Sequence, residues 1–478
     1  MKMIYGVKDR PKIPQLLLFA LQQLLAILAA TIAVPAIIGH DMSQSAALFG
    51  AGVGTIVYLL FTKFKSPVFL GSSFAFLGSM AAAFAGGVSM SVGYLGLLIG
   101  AVFAGLVYVA IAVAVHFAGV KWIDKIMPAV VIGPCVAIIG LSLAGNAIGD
   151  LSKGSVLDAA LNPVGSPYIA IFCGLVTLGV TIACSVYGKK LLKMIPFIIG
   201  VLAGYAVAAI FTGIGYAADC DALKIVNFSL FTKMQWYPDF SFITAFSGGY
   251  DFAGSNFGSY LATIAVAYIP VSFVVFAEHI ADHKNISSII EQDLLSDPGL
   301  SRTLLGDGVG SIAGALFGGC PNTTYGESVG CVAISGNASI ATIFVTALMA
   351  IVAAFIAPFT TFLATIPSCV MGGVCVALYG FIAVSGLKMI QNVDLGDNRN
   401  LFVVSVILIA GVGGMTLNFG KITITEVACA LILGILVNLL VNIKKDKPQA
   451  AIEPLPEEVK EEAAISKEDV QVNDKKEE

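Results

Sequence analysis

Two carboxylates, Glu278 and Asp282, lie four residues apart in the eighth long apolar segment of the sequence. Residues at this spacing share one face of a helix, with about 5–6 Å between their Cβ atoms. Two carboxylates this close in a low dielectric rarely both ionise, so one of them is expected to bind a proton near neutral pH. The pair therefore predicts a proton-coupling site. In the alternative interpretation, Asp282 has reached the cytoplasmic headgroups and caps the next segment.

Few ionisable side chains fall inside apolar segments, and each one there costs roughly 2.5–3.5 kcal/mol to insert into a bilayer. Such residues are expected to have a function for that reason. Asp307 could equally be a structural cap or a functional group, and Glu426 is interpreted as a solvated helix end at the interface. The full set comprises Glu278, His279 and Asp282 near the end of the eighth segment, Asp307 in the ninth, Glu327 in the tenth and Glu426 at the start of the fourteenth.

The third and tenth apolar segments are short and rich in Gly, Ser, Thr and Pro, and they contain Leu70–Phe76 and Pro321–Glu327. Such sequences favour short extended pieces, which are tolerated at membrane depth only where they line a cavity or are buried in protein. An extended piece that leads into a half-helix aims unpaired N–H groups at a common centre. Glu327 adds an acceptor there, while Phe74 and Tyr325 add flat apolar walls. This combination suits a small planar ligand with N–H and C=O edges, and a uracil ring has such edges.

The elements that position these residues must lie in a membrane, because 58% of the 478 residues are hydrophobic and only 12% are charged. A soluble domain of this size carries about twice that charged fraction. The run from Gln15 to Ile38 has no charged residue, and roughly 20 such residues cross a bilayer. The hydropathy predicts an all-α polytopic membrane protein with fourteen spans, near 14–38, 45–61, 68–85, 92–117, 126–145, 167–186, 195–213, 258–281, 303–317, 323–335, 338–357, 363–383, 400–417 and 424–443.

The distribution of Lys and Arg gives an independent check through the positive-inside rule. With the N-terminus in the cytoplasm, inside segments hold 18 of the 26 Lys and Arg residues, outside loops hold 4, and the distal tail holds the other 4. None falls inside a predicted span. The sequence therefore predicts an inner-membrane protein with both termini in the cytoplasm.

The two halves of the chain contain a related motif. Met127–Gly133 (MPAVVIG) resembles Ile366–Gly372 (IPSCVMG) at an offset of 239 residues, and each copy follows one weak and one strong span. Seven spans per half require that the second half be inverted, and a 7+7 inverted repeat with broken spans is typical of secondary transporters. The predicted organisation is a cytoplasmic N-terminus (1–13), a first repeat (14–213), an external loop (214–257), a second repeat (258–443) and a disordered cytoplasmic tail (444–478).

Other chemistries find little support in the sequence. The nine cysteines lie mostly in apolar segments without a C-x-x-C pair, so we interpret them as small buried hydrophobic residues and expect neither a metal nor another cofactor. The sequence contains no basic stripe suited to a nucleic acid. A membrane enzyme is a competing class, but we find no nucleophile–base pair, and the charged tail is too short for a catalytic domain.

Four motifs resemble the bacterial uracil permeases of the nucleobase–ascorbate transporter family, and the likeness runs from about Gly6 to Ile443. The motifs are Ser72–Phe76 (SSFAF), Phe276–His279 (FAEH), Asp293–Leu300 (DLLSDPGL) and Asn322–Glu327 (NTTYGE). The resemblance implies symport of uracil with a proton. It also implies a 7+7 inverted repeat divided into core and gate domains, short antiparallel strands in the third and tenth spans, and a homodimer.

The same resemblance implies roles for individual residues. Glu278 and Glu327 are expected to accept the N–H groups of uracil, while Phe74 and Gly326 offer backbone N–H groups to its carbonyls. The residues expected around the ring are Ala30, Tyr325 and Tyr379, with Ser73 as a further substrate-binding residue. The expected proton-coupling group is Glu278, His279, Asp282 and Asp307.

Two positions depart from this pattern. The uracil permeases that the chain resembles carry His where it has Asp282 and where it has Gln23. Purine permeases of the family share Asp282 and Asp307 but usually have Gln, or a different motif, in place of Glu327. A xanthine or other purine symporter is therefore the closest alternative. An anion transporter of the sulfate type is a weaker one, because carboxylates at the binding centre would repel an anion.

Overall fold

A computed structural model describes residues 3–119, 128–158, 163–189, 192, 195–391, 393–419 and 422–443 of the protein. Helices account for most of these residues, because backbone N–H and C=O groups in lipid must find partners within their own segment. The described residues as far as Asn438 form one compact unit, and a second unit begins at Leu439. The predicted disordered tail, 444–478, lies outside the described residues, as do Met127 of the repeat motif and several of the lysines used for orientation.

The first half of the chain is helical apart from one extended break. Strand β1 (Leu70–Ser72) and a 3-10 turn (Phe74–Phe76) form this break. Proline marks the start of two helices, at Pro167 and Pro196. A backbone N–H in the first turn has no acceptor within the helix, so the N–H that proline lacks is not missed there. The helices are α1 (Ile13–Ile38), α2 (Gln44–Phe61), α3 (Leu77–Ala83), α4 (Met90–Ala118), α5 (Ala129–Ser142), α6 (Ala144–Leu151), α7 (Pro167–Tyr187) and α8 (Pro196–Ala217).

The second half begins with a short helix in the predicted external loop. Two of its helices, those that end before Gly319 and Gly336, stop at glycines with positive φ. Glu426 opens the last helix, as expected for a helix end. The elements are α9 (Ser241–Ser247), α10 (Phe257–Ile290), α11 (Leu300–Gly318), β2 (Asn322–Thr324), α12 (Gly326–Ser335), α13 (Ile340–Ala353), α14 (Ala357–Thr365), α15 (Ser368–Met389), α16 (Asn398–Val412), β3 (Leu417–Phe419), β4 (Ile422–Ile424) and α17 (Glu426–Val441).

The helices are those of a polytopic membrane protein. Within the described residues, eight are long and apolar enough to cross a bilayer, and a ninth span results if α13 and α14, bent by 83° at their junction, count as one. Shorter apolar helices accompany them. Each predicted span overlaps a helix or a strand followed by a helix, but the arrangement as fourteen spans stays a prediction.

Three helix boundaries differ from the bounds of the predicted spans. The predicted span 363–383 is divided between α14 and α15, because Pro367 holds the preceding Ile366 in an extended conformation. α5 and α6 together continue to Leu151, beyond the predicted end at 145. The eighth span was expected to end at 281, whereas α10 continues to Ile290. Its extra turns are helical because apolar side chains recur there on the buried face, at Ile286 and Ile290.

The two weak segments meet as an antiparallel pair of strands. β1 and β2 pair in the register Leu70 with Thr324, Gly71 with Thr323 and Ser72 with Asn322, as the family resemblance implied. Their backbone groups thus satisfy one another inside the protein. Each strand leads directly into a helical segment, Phe74–Phe76 after β1 and α12 after β2.

Small residues allow α2 and α11 to pack at backbone contact beside this strand pair. A Cβ atom added at Gly50 would collide with the carbonyl of Gly314, and one at Gly54 would meet Gly310 O at 2.7 Å. Such small-residue contacts are the usual way for helices to approach in membranes. The Asn322 side chain fits between the two helices and donates to Gly50 O at 3.1 Å, which anchors β2.

The two copies of the repeated motif occupy equivalent local positions. Pro128 is the N-cap residue of α5, and Pro367 is the N-cap residue of α15. The two helices pack against each other, with Gly133 of α5 facing the backbone of Gly386 in α15. The motif therefore has the same structural function in both halves.

Candidate functional site

The helix α10 carries the candidate carboxylates. Its N-cap, Asn256, accepts a hydrogen bond from Ser259 N at 2.7 Å, and its 34 residues end only at Ile290. Glu278 and Asp282 therefore lie in continuous helix, one turn apart, and both line the same cavity.

This cavity has a volume of about 310 Å³, within the range usual for small-molecule sites. Glu327 joins Glu278 and Asp282 on its wall, so three carboxylates face one space. Among the described residues, no Lys or Arg lines it. The remaining wall is largely apolar and includes Ala26, Val136, Phe197, Cys331, Ile334, Leu378, Phe381, Ile382 and Met389.

Glu327 is held at the beginning of a half-helix. Tyr325 is the N-cap residue of α12, so Gly326 and Glu327 are its first two residues, whose N–H groups have no intrahelical acceptor. The first turn of α12 is fixed by the next residue, Ser328. Its carbonyl accepts a hydrogen bond from Gln23 Nε2 at 3.3 Å, and its Oγ accepts one from Phe69 N at 3.2 Å.

Asp282 is tied to the strand pair. Its Oδ2 accepts a hydrogen bond from the Thr324 hydroxyl at 2.7 Å, and the side chain is half-buried. α10 continues for two further turns, so Asp282 does not cap a following segment, and that alternative interpretation was wrong. The contact with Thr324 links the helix that carries Glu278 to the strand that precedes Glu327.

The predicted ring-contacting residues are only partly brought together. Phe74 and Tyr325 line a small chamber of about 40 Å³ with Glu278 and Glu327, next to the main cavity. The Tyr325 hydroxyl donates to Ser72 O at 2.9 Å. Tyr379 contacts Phe74 edge-on, with ring centroids 5.8 Å apart, but it lines a separate apolar cavity. Ala30 and Ser73 are buried and line neither space.

His279 on α10 and Asp307 on α11, both predicted as proton-coupling residues, do not line the cavity. Both side chains are fully buried, with His279 Nδ1 2.7 Å from Asp307 Oδ2. His279 Nε2 lies 3.0 Å from Thr303 Oγ1, which itself donates to Leu300 O at 3.0 Å. Since the one hydroxyl proton of Thr303 is used in that bond, His279 Nε2–H must be the donor to Thr303.

The proton between His279 and Asp307 can be assigned by the same reasoning. Asp307 Oδ1 is buried and has no hydrogen-bond partner among the described residues, which is unfavourable for an ionised carboxylate. A protonated Asp307 that donates to a neutral His279 Nδ1 satisfies the contact without a buried charge. The geometry therefore favours a neutral pair that fastens α10 to α11.

A second buried histidine, which the sequence analysis did not single out, extends this network. His283 Nδ1 donates to His279 O at 2.8 Å, so its Nε2 accepts the Tyr58 hydroxyl at 2.6 Å. The Tyr58 hydroxyl oxygen also lies 2.6 Å from Ser66 Oγ. The two imidazole rings are stacked, with centroids 4.0 Å apart. The spacing of four residues between the histidines was the signal available in the sequence.

The arrangement can bind a polar planar molecule and a proton. Carboxylates accept hydrogen bonds from ligand N–H groups, and helix N-termini donate to ligand carbonyls. Three carboxylates without a neighbouring cation repel one another, and a proton on one of them relieves this repulsion. Among the described residues, His, Cys, Asp and Glu form no group of three that could hold a metal ion.

The fold is similar to those of two membrane proteins of known structure. It is similar to the transmembrane domain of the cyanobacterium bicarbonate transporter BicA, with a TM-score of 0.58 and 16% identity over 91% of this chain and 99% of that one. It is also similar to the murine anion transporter Slc26a9 in the inward-facing state, with a TM-score of 0.61 and 12% identity over 91% of this chain and 69% of the other. At these identities the likeness concerns the fold alone.

The chain belongs to the Permease family (Xan_ur_permease), whose model matches residues 14–420. Among its relatives are the uracil permease of Bacillus caldolyticus, 37% identical over 94% of this chain and 96% of the relative, and that of Bacillus subtilis (strain 168), 36% identical over 93% and 97%. The uracil permease of Escherichia coli (strain K12) is 33% identical over 92% and 94%. The predicted family is thus confirmed, and a transporter is favoured over a membrane enzyme.

The neutral pair of His279 and Asp307 predicts how substitutions at Asp307 change the stability of the protein. In Asp307→Asn, the amide N–H replaces the carboxyl O–H as donor to His279 Nδ1, so stability should change little. In Asp307→Leu, the imidazole nitrogen is left unpaired in the interior, which should cost about 1–3 kcal/mol. Thermal unfolding of both variants in detergent measures the difference. An ionised Asp307 paired with a charged His279 would instead make Asn as damaging as Leu.

Proposed function

We propose that the protein takes up uracil across the cytoplasmic membrane together with a proton. The observation that carries this proposal is the meeting of Glu278 and Glu327 in one cavity beside the N-terminus of α12. The identity to uracil permeases over most of the chain supports the same substrate.

In the proposed complex, Glu278 and Glu327 each accept one of the uracil N–H groups. The backbone N–H groups of Phe74 and Gly326, at the starts of the two helical segments after the strands, donate to the two carbonyls. This pattern matches donors to acceptors on every polar edge of the ring, and a mismatch would leave a buried polar group unpaired. The residues proposed to complete the site are Tyr325 and, less directly, Ala30, Ser73 and Tyr379.

A purine such as xanthine is the alternative substrate. Asp282 and Asp307 favour it by their resemblance to purine permeases, and Gln23 departs from the uracil permease pattern, but Glu327 does not favour a purine. Gln23 does not line the cavity and instead bonds to Ser328, so its effect on a ligand is exerted through α12. An anion substrate is disfavoured, because the described lining of the cavity contains three carboxylates and no cation.

The proposed coupling site is the pair Glu278 and Asp282. Protonated Asp282 donates to Glu278, which stays ionised and accepts a substrate N–H group. Loss of that proton leaves two adjacent carboxylates and weakens substrate binding. We assign His279 and Asp307 a positioning role in this scheme, because their hydrogen bonds orient the face of α10 that bears the pair.

The proposal also includes the number of spans, their repeat and their orientation in the membrane. Fourteen spans in a 7+7 inverted repeat, with core and gate domains, are supported by the equivalent positions of Pro128 and Pro367 and by the two strand-to-helix segments. The excess of Lys and Arg in alternate loops supports cytoplasmic termini. The cavity lies beside the C-terminal halves of α10 and α15 and along α12 from Gly326 to Ile334, a region that the proposed orientation assigns to the cytoplasmic side. The predicted homodimer belongs to the same proposal.

The first test is uptake by the purified protein in proteoliposomes. An imposed inward proton gradient should drive accumulation of labelled uracil, and unlabelled uracil should compete far better than xanthine. A potential of 100 mV supplies about 2.3 kcal/mol for each charge moved, which is roughly fifty-fold accumulation for one proton. Uptake that survives a protonophore but requires sodium would contradict proton coupling, and stronger competition by xanthine would favour the purine alternative.

Glu327→Gln tests the binding site. The amide keeps the shape but replaces a charged acceptor with a group that also presents donors to a ligand N–H. Uracil affinity should fall by about 1.5–3 kcal/mol, roughly ten- to a hundred-fold, while thermal stability is retained. Calorimetric titration of uracil measures the loss. Glu426→Gln, at the first turn of α17 and outside the cavity, is the matched control. Equal affinity of both variants would place Glu327 outside the site.

Asp282→Asn separates binding from coupling. Asparagine keeps a donor for Glu278 but cannot release a proton, so counterflow exchange of uracil should persist while accumulation under a pH gradient is lost. Asp307→Asn should retain both activities, because that pair keeps its hydrogen bond. Full accumulation by Asp282→Asn would rule out a proton shared with Glu278.

A further inference from the structure

The N-terminal segment 3–12, here called the strap, is fastened to the end of α12. Ile4 N donates to Gly336 O at 2.7 Å, and Ala338 N donates to Tyr5 O at 2.9 Å. These bonds hold the loop between α12 and α13 against the strap along several residues. The helix α12, which begins at the candidate site, therefore ends in contact with the strap.

A groove of about 490 Å³ lies between the strap, the residues after α2 and the start of α13. Lys8 and Arg10 line one part of it, and Phe64, Ile340 and Phe344 line another. The Phe64 side chain is 43% exposed, and its ring lies 6.2 Å from that of Phe344. The groove thus joins a cationic part to an apolar part.

Cations outnumber carboxylates at the groove. Lys8, Arg10, Lys12 and Lys63 are exposed and form no ion pair with another described residue. The one acidic lining residue is Asp9, whose Oδ2 already accepts a backbone N–H of the strap at 2.7 Å. Two cations and one carboxylate line the groove, and Lys12 and Lys63 lie within two residues of its lining in the sequence, so the charge balance favours an anionic ligand.

The groove lies at the level where apolar helix surfaces end. α1 begins at Ile13, directly after the strap, and α2 ends at Phe61, directly before Lys63. Ile13 is 73% exposed and Leu60 is 58% exposed, so lipid is the solvent that these surfaces require. Cations that follow immediately on such surfaces lie at the depth of lipid headgroups.

We propose that this groove binds an anionic phospholipid. Its phosphate lies between Lys8 and Arg10, and the first part of an acyl chain lies against Phe64 and Phe344. A zwitterionic phospholipid lacks the net charge that the cations select, and soluble phosphate lacks a group for the aromatic pair.

Lipid binding has a consequence for transport, which rests on the proposed function. An occupied groove stabilises the strap, and the strap holds the end of α12 opposite to Glu327. Uracil uptake is therefore expected to be faster in membranes that contain an anionic lipid.

Binding is tested without any substrate. Native mass spectrometry of the full-length protein in detergent measures its affinity for phosphatidylglycerol and phosphatidylcholine. Lys8→Gln with Arg10→Gln should weaken phosphatidylglycerol binding roughly thirty-fold, while Lys189→Gln with Arg399→Gln, which removes equal charge elsewhere, should not. Phe344→Ala should also weaken it, in contrast to Phe117→Ala on an exposed helix surface. Equal phosphatidylglycerol affinity of the two charge variants overturns the proposal.

Two further measurements show whether the groove binds the phosphate of a lipid or soluble phosphate. Inorganic phosphate at millimolar concentration should not displace phosphatidylglycerol, and displacement would make this a site for soluble anions instead. In proteoliposomes, phosphatidylglycerol mixed into phosphatidylcholine should raise uracil uptake by the wild type and not by the Lys8, Arg10 variant. A protein that binds the lipid at this groove but carries no uracil would overturn the proposed function and leave the lipid site intact.

Discussion

The pairing of β1 with β2 is the constraint on which the rest of the structure depends. Extended backbone inside a membrane must find its hydrogen-bond partners within the protein, and these two strands satisfy each other. Glycines allow α2 and α11 to pack closely and leave space between them for the Asn322 side chain. The hydrogen bond of that side chain to Gly50 O anchors β2. Because both strands lead into helical segments, the pairing brings two helix starts, at Phe74 and Gly326, to one small chamber.

The helix α10 separates two kinds of polar chemistry on two of its faces. Glu278 and Asp282 face the cavity, where a ligand or a proton can reach them. His279 and His283, one position further along, face α11 and α2 and are enclosed by fixed hydrogen bonds. Successive helix residues diverge by about 100°, so adjacent positions serve different neighbours. The buried bonds hold α10 in the rotation that aims its carboxylates into the cavity.

The same fold serves transporters of different chemistry. Two anion transporters share this architecture at 12–16% identity, so the fold alone does not choose the substrate. In the part of this protein that the structure describes, the cavity wall bears three carboxylates and no cation, which suits a neutral ligand that donates hydrogen bonds. The three carboxylates of this cavity converge from α10 and α12.

The sequence by itself determined the membrane class, most helix positions, the two extended breaks and the family, because hydropathy, Gly and Pro content and the NTTYGE motif are local signals. Only the tertiary structure showed that Asp282 bonds to Thr324, that Asp307 belongs to a buried pair with His279, and that Tyr379 lines another cavity. The sequence also did not show that α10 continues to Ile290. Its last turns are polar, as in a loop, and their buried face becomes evident only from the tertiary packing. These features depend on which segments pack together, and contacts between residues far apart in the chain leave no local signal in one sequence.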